Sequence, residues 1–117
     1  PLADPDAWQA AAMALVNDGR AQVVALTLGH LGAVLATTEG TWVAEPLPIE
    51  VASAVGAGDS FVGGLVWALQ QHRPLTEAFT WGMAAGSAAL LSAGTGLCDP
   101  ADVRRLQPAV ALARTPR

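Results

Sequence analysis

The chain has 117 residues, of which 52% are hydrophobic and only 14% charged. That balance argues against disorder, and it is apolar for so short a chain, which points to a larger core or a partner surface. The net charge is −4, lysine is absent and the six arginines form no stripe, with only Arg104 and Arg105 adjacent, so a basic nucleic-acid-binding face is not expected.

In chain order, Asp4-Pro5 reads as a helix start, with Asp as N-cap and Pro at the first helical position. Trp8, Ala11, Ala12, Leu15 and Val16 make one apolar face, and Asp18-Gly19 ends the helix. Gln22 to Leu28 is a nearly continuous β-prone run, the pattern of a strand buried on both faces of a parallel sheet. A helix followed by such a strand is half of a βαβ layout. Gly29-His30-Leu31-Gly32 reads as a tight turn. The segments 33–37 and 41–44, flanking Thr38-Glu39-Gly40, read as a β-hairpin. Pro46 and Pro48 suggest an extended linker, and Ile49 to Ala52 a short strand.

A second helix is expected from about Asp59 to Gln71, with Phe61, Leu65, Ala68 and Leu69 on its apolar face and Gly63-Gly64 allowing close packing. Arg73-Pro74 breaks it. A third helix, from about Thr76 to Ser92, is apolar nearly all round (Phe79, Met83, Ala84, Leu90, Leu91), which implies burial on most sides. Gly94-Thr95-Gly96 stops it. Asp99-Pro100 repeats the Asp-Pro start, a last helix is expected to about Leu112, and the tail from Ala113 is expected to fray.

Cys98 is the only cysteine, so there is no internal disulfide and no cysteine-rich zinc site, and a reducing cytoplasm fits. His30 and His72 have no ligand spacing. No apolar run reaches the roughly 18 residues of a membrane span, and the N-terminus has no signal-peptide layout. The chain begins with Pro1 rather than Met, which suggests a fragment of a longer product.

The most informative stretch is Ala54-Val55-Gly56-Ala57-Gly58-Asp59-Ser60-Phe61. Small residues before a helix expose consecutive backbone N–H groups, and with the positive end of the helix dipole these make a site for anions. A carboxylate within that site suits a base beside a bound anion. Phosphoryl transfer to a hydroxyl needs both parts: donors to neutralise the transferred group and a base to take the hydroxyl proton. Glycine at 56 and 58 permits close approach of the backbone. The plainer alternative is an ordinary helix N-terminus with Asp59 as its N-cap.

Residues 55–61, with Thr27-Leu28-Gly29 upstream and Ala84-Ala85-Gly86 downstream, resemble the C-terminal signature of the ribokinase-like (PfkB) carbohydrate kinases. The resemblance covers nearly all of this chain and only the C-terminal part of such a kinase. Ala84-Ala85-Gly86-Ser87-Ala88-Ala89, Gly94-Thr95-Gly96-Leu97-Cys98, and Ser53 and Val55 are similar to the 6-phosphofructokinase branch. The resemblance implies an α/β fold, the C-terminal part of a three-layer α/β/α sandwich with a mainly parallel sheet and an antiparallel edge hairpin. On that reading residues 1–117 form the ATP-binding and catalytic-base portion, without the N-terminal substrate portion.

The implied activity is ATP-dependent phosphorylation of a sugar phosphate, foremost fructose 6-phosphate to fructose 1,6-bisphosphate in glycolysis. Asp59 would be the base, and Gly56, Ala57 and Gly58 the anion hole. Thr27, Leu28, Gly29 and Gly32 would line the ATP side, and Met83 and Ser87 would lie near the adenine. Ser53, Val55, Ala89, Ser92 and Gly94 would frame a monovalent-cation site through backbone oxygens. ATP and Mg2+ are implied, with K+ left open because Ala54 and Gly96 depart from the branch pattern. The implied partners are a sugar or sugar-phosphate substrate and, in the full-length parent, a second copy in a homodimer, with no membrane or nucleic acid. Plainer readings stand beside these: Thr27 as a strand residue, Met83 as core, the serines as caps or helix-surface hydroxyls, and Gly94 as a helix stop. The alternatives are another sugar kinase of the family (fructokinase, ribokinase, tagatose-6-phosphate kinase) or an inactive truncated nucleotide-binding piece.

Overall fold

The computed structural model describes residues 5–27, 32–47, 57–91 and 99–115. The chain divides into two compact units, Pro1–Pro46 with Leu112–Arg117, and Leu47–Ala111. The expected strand at 49–52 and the stop at 94–96 lie outside the described residues.

In the first unit, helix α1 spans Pro5–Asn17. It ends where Arg20 N–H donates to Leu15 C=O and Gly19 N–H to Val16 C=O, with Gly19 at φ +74°, the left-handed cap that glycine fills without steric penalty. Strands β1 (Val23–Thr27), β2 (Ala33–Thr37), β3 (Gly40–Ala44) and β4 (Leu112–Thr115) follow. They form one sheet in the order β1-β2-β3-β4, and every pairing is antiparallel. The hairpin at Thr38-Glu39 is as expected, with Thr37 opposite Gly40 and Glu39 N–H donating to Thr37 Oγ1 at 3.0 Å.

Three expectations need correction here. The parallel pairing is not found among the described strands: β1 and β2 are joined by five residues, far short of the dozen or more that a parallel crossover requires. β1 is not buried on both faces. It alternates half-buried and exposed residues, with Val23 44% exposed, because it lies at the sheet edge and α1 covers only the side bearing Val24 and Leu26. The strand buried throughout is β2. On α1, Trp8, Ala12 and Val16 pack against Val34 and Ala36, whereas Ala11 and Leu15 face outward, since residues four apart stack on one face.

The C-terminal expectation is also corrected. Helix α4 runs only Pro100–Leu106, followed by a 3-10 turn at Gln107–Ala109. Pro108 lacks the N–H that a continuing helix needs. The tail pairs with β3, Trp42 opposite Arg114. The Arg114 guanidinium lies 5.3 Å from the Trp42 ring centroid and donates to Glu39 C=O; the contact with the ring is a cation–π interaction.

The second unit is helical. α2 spans Ala57–Gln70, α3 Leu75–Leu91, and α4 completes it. α3 is buried nearly all round, as its composition requires. Phe61 of α2 meets Phe79 of α3 edge-to-face, with centroids 5.7 Å apart at 79°. A Cβ at Gly64 would stand 2.7 Å from both Ala85 Cβ and Trp81 C=O, so this glycine is what lets the two helices approach. On the other side of α3, Ala84 and Ala88 pack with Leu106. Gln107 Nε2 donates to Thr80 Oγ1 at 3.0 Å, tying the 3-10 turn to α3. Asp99 caps α4 by accepting from Ala101 N–H at 2.9 Å, as Asp-Pro predicts. No helix among the described residues is long and apolar enough to cross a membrane.

α2 ends with His72 in the left-handed region at φ 60°, where its N–H reaches Leu69 C=O and the next N–H reaches Ala68 C=O. A Cβ is unfavourable there. His72→Gly is expected to raise stability by about 0.5–1 kcal/mol. The urea midpoint at unchanged m-value checks this; a lower midpoint would show that the imidazole itself contributes to the fold.

Candidate active site

The candidate site is built on the first turn of α2. Gly56 lies outside the described residues, and the helix begins at Ala57. Asp59 is thus the third helical residue and not the N-cap, which corrects the plainer reading. The first amides of a helix have no intrahelical acceptor and point away from its end, and a carboxylate in the first turn is favoured by the dipole.

What presents this turn is its other side. Ala57 and Phe61 sit one turn apart and both face α3. A Cβ at Gly86 would stand 3.2 Å from Ala57 C=O and 3.5 Å from Phe61 Cβ. One at Gly82 would stand 3.0 Å from Phe61 C=O and 3.2 Å from its ring. Two glycines four residues apart on α3 therefore seat the α2 backbone directly, and Phe61 locks it against Phe79. With that face anchored, Gly58 and Asp59 are exposed. A Cβ at Gly58 would meet nothing within 4 Å among the described residues. Asp59 makes no ion pair among the described residues.

Sequence reasoning gave Gly82 and Gly86 no role. The available signal was their i, i+4 spacing on a helix otherwise made of bulky or buried residues.

The other expected site residues are placed as follows. Met83 and Ser87 lie one turn apart on α3 and are 7% and 8% exposed, leaving little surface to a ligand. Ala89, on the same helix, is fully buried. Thr27 ends β1 in the first unit and is exposed. Gly32, in the same unit, has φ +99°, and a Cβ there would fall 2.2 Å from Ala44 C=O, so close backbone packing alone demands glycine. Leu28, Gly29, Ser53, Val55, Ser92 and Gly94 lie outside the described residues. No group of three or more His, Cys, Asp or Glu able to hold a metal occurs among the described residues.

A helix turn with open amides and a projecting carboxylate, set on an α/β scaffold, is an arrangement suited to handling phosphate esters. The family profile for pfkB family carbohydrate kinases matches residues 1–102, and the chain belongs to that family. It is 40% identical over 105 residues to the ATP-dependent 6-phosphofructokinase isozyme 2 of Escherichia coli, covering 90% of this chain and 34% of that protein. It is 37% identical over 89 residues to the 1-phosphofructokinase of the same organism, covering 76% of this chain and 28% of that protein. Among solved structures it is similar to phosphofructokinase-2 from Escherichia coli in complex with potassium, at a TM-score of 0.85 and 38% identity, covering 93% of this chain and 35% of that one. A ribokinase from Thermotoga maritima shares the fold at a TM-score of 0.77 and 22% identity. The ribokinase-like α/β assignment made from the sequence therefore stands. The chain spans about a third of the length of the relatives it matches.

Gly64 and Gly63 give a paired test of the α2–α3 packing. Gly64→Val is expected to destabilise by about 2 kcal/mol or more, from overpacking against Trp81 and Ala85. Gly63→Ala, where a Cβ meets nothing, should gain up to about 1 kcal/mol from helix propensity. Thermal denaturation of both variants reads the difference; equal effects would contradict the packing described.

Proposed function

We propose that this chain is the ATP-side and catalytic-base portion of a kinase that phosphorylates a sugar phosphate, foremost fructose 6-phosphate at its 1-hydroxyl. The observation that carries this is the α2 first turn: an exposed carboxylate and an unobstructed glycine backbone on a turn fixed from behind. The 40% identity to a 6-phosphofructokinase isozyme supports the substrate.

In this reading the acceptor hydroxyl would lie against Asp59, whose carboxylate oxygen would take the proton as the hydroxyl oxygen bonds to the terminal phosphorus of ATP and the bond from that phosphorus to the bridging oxygen breaks, releasing ADP. The amides of Gly56, Ala57 and Gly58 donate to the transferred phosphoryl oxygens, where charge accumulates. Thr27, Leu28, Gly29 and Gly32 line the ATP side, and Met83 and Ser87 abut the adenine. Asp59 is the one carboxylate in residues 51–60, which fits a Mg2+ held mainly by phosphates and water with at most one carboxylate from this segment. When bound, that ion supplies neutralisation of phosphate charge. A K+ framed by Ser53, Val55, Ala89, Ser92 and Gly94 belongs to the same reading, supported by the potassium complex of the Escherichia coli neighbour, as does a homodimeric parent enzyme.

A second reading is favoured by a specific observation. The similarity to 1-phosphofructokinase, at 37% identity, makes fructose 1-phosphate the rival acceptor. The turn at Asp59 serves either substrate, since the base sees only a hydroxyl.

In a complete kinase carrying this region, Asp59→Asn is expected to lower kcat at least about 10²-fold through loss of the base, with a weaker effect on the KM for ATP. A coupled ADP-release assay with fructose 6-phosphate and fructose 1-phosphate as rival acceptors reads both the base and the substrate; near-normal turnover of the variant would sink the assignment. The 117-residue chain alone is expected to show no turnover in the same assay.

A further inference from the structure

We propose that a groove between α2, α3 and α4, all within the second unit, is a binding site for a small planar aromatic anion. The groove has a volume of about 400 Å³, within the range of small-molecule sites. It is not part of the phosphoryl-transfer reading and does not depend on it.

Its walls are Ser60, Gly63 and Trp67 of α2, Trp81 of α3, and Val103 and Arg104 of α4. Trp67 and Trp81 meet edge-to-face, centroids 5.2 Å apart at 68°, so two indoles form an angled aromatic wall. Trp67 and Trp81 are well separated in the sequence and become neighbours only when α2 and α3 pack. Trp67 is 47% exposed despite its size, so a large π surface is left uncovered. The indole N–H of Trp81 is buried and has no acceptor among the described residues, which leaves that wall one hydrogen bond short. At Gly63 a Cβ would meet nothing within 4 Å, so the floor is bare helix backbone open to a flat ring.

Charge decides what kind of ring. Among the described residues, Arg104 is the only charged residue lining the groove, and no carboxylate lines it. The neighbouring Arg105 is paired with Asp102 at 3.1 Å and Arg73 with Glu77 at 3.3 Å, while Arg104 has no ion pair among the described residues. An apolar aromatic slot with one uncommitted guanidinium selects a flat hydrophobic body carrying a carboxylate, which stacks on indole and accepts from arginine.

The test is calorimetric titration of the whole chain with 2-naphthoate as probe, and with its neutral amide as control. Saturable 1:1 binding of 2-naphthoate is expected, at least about tenfold tighter than the amide. Arg104→Gln should weaken it by about the same factor, and Arg105→Gln should leave it unchanged. Gly63→Leu fills the slot at a position where the helix favours leucine over glycine, so the fold survives and binding should vanish. The proposal is overturned by an absence of saturable binding, by equal affinity for acid and amide, or by binding that persists in Gly63→Leu. It is also overturned if sedimentation shows a dimer that Gly63→Leu converts to monomer, since the occupant would then be a second copy.

Discussion

The contact on which the second unit depends is backbone against backbone: the first turn of α2 resting on Gly82 and Gly86 of α3. Side chains longer than hydrogen at those two positions would press on the carbonyls of Phe61 and Ala57. With no flexible side chain between them, the separation of the helices is set by hard contacts and cannot adjust by rotamer changes. The Phe61–Phe79 pair then fixes the rotation of α2 about its axis. Rotation decides which residues are exposed, because 57 and 61 face inward only if 58 and 59 face outward. The exposure of the carboxylate follows from the burial of the phenyl ring two residues later.

The first unit reaches order by different means. Its sheet is covered on one face by α1, and the strand most deeply buried is the second and not the first. β1 is left as an apolar edge without the lysine, proline or bulge that usually protects one. The outward residues of α2, Val62, Val66 and Leu69, are likewise exposed and recur at i, i+4 and i+7, the spacing of a buried stripe. The surplus of apolar residues noted in the composition therefore resolves into two defined surfaces.

How much of this was legible in the sequence depended on the range of the signal. Local chemistry was readable: Asp99 capping a helix that starts with proline, Gly19 closing α1, Thr38-Glu39 turning the hairpin, and α3 buried because it has no polar face. Each depends on residues within four or five positions. Burial of β1 was misread because Gln22 to Leu28 is apolar on both faces, yet position in the sheet, set by residues far along the chain, decides exposure. β4 was invisible for the same reason. Nothing local distinguishes Leu112-Ala113-Arg114-Thr115 from a frayed tail until Trp42 and the Glu39 carbonyl receive Arg114. At the candidate site, Asp59 was singled out from its neighbours, while the glycines that seat its turn were not, because their partners lie about twenty to thirty residues away in α2.

The exposure of Gly58 and Asp59 also limits what this turn can do unaided. Amide donors and a base gain most of their catalytic effect in a site closed to water, where charge is poorly screened and the donors need not reorganise. The described residues supply the rigid half of that requirement, a turn whose orientation is fixed by glycine contacts and a buried aromatic pair. At Gly58 they leave the side-chain direction open, with nothing within 4 Å of a Cβ there. An acceptor hydroxyl held only by one exposed carboxylate would exchange with water far faster than it could be phosphorylated, because positioning accounts for much of the rate in phosphoryl transfer. On the proposed reading, contacts between residues 57 and 86 orient the carboxylate and the amides, and water exclusion and acceptor alignment would belong to surfaces that close over them.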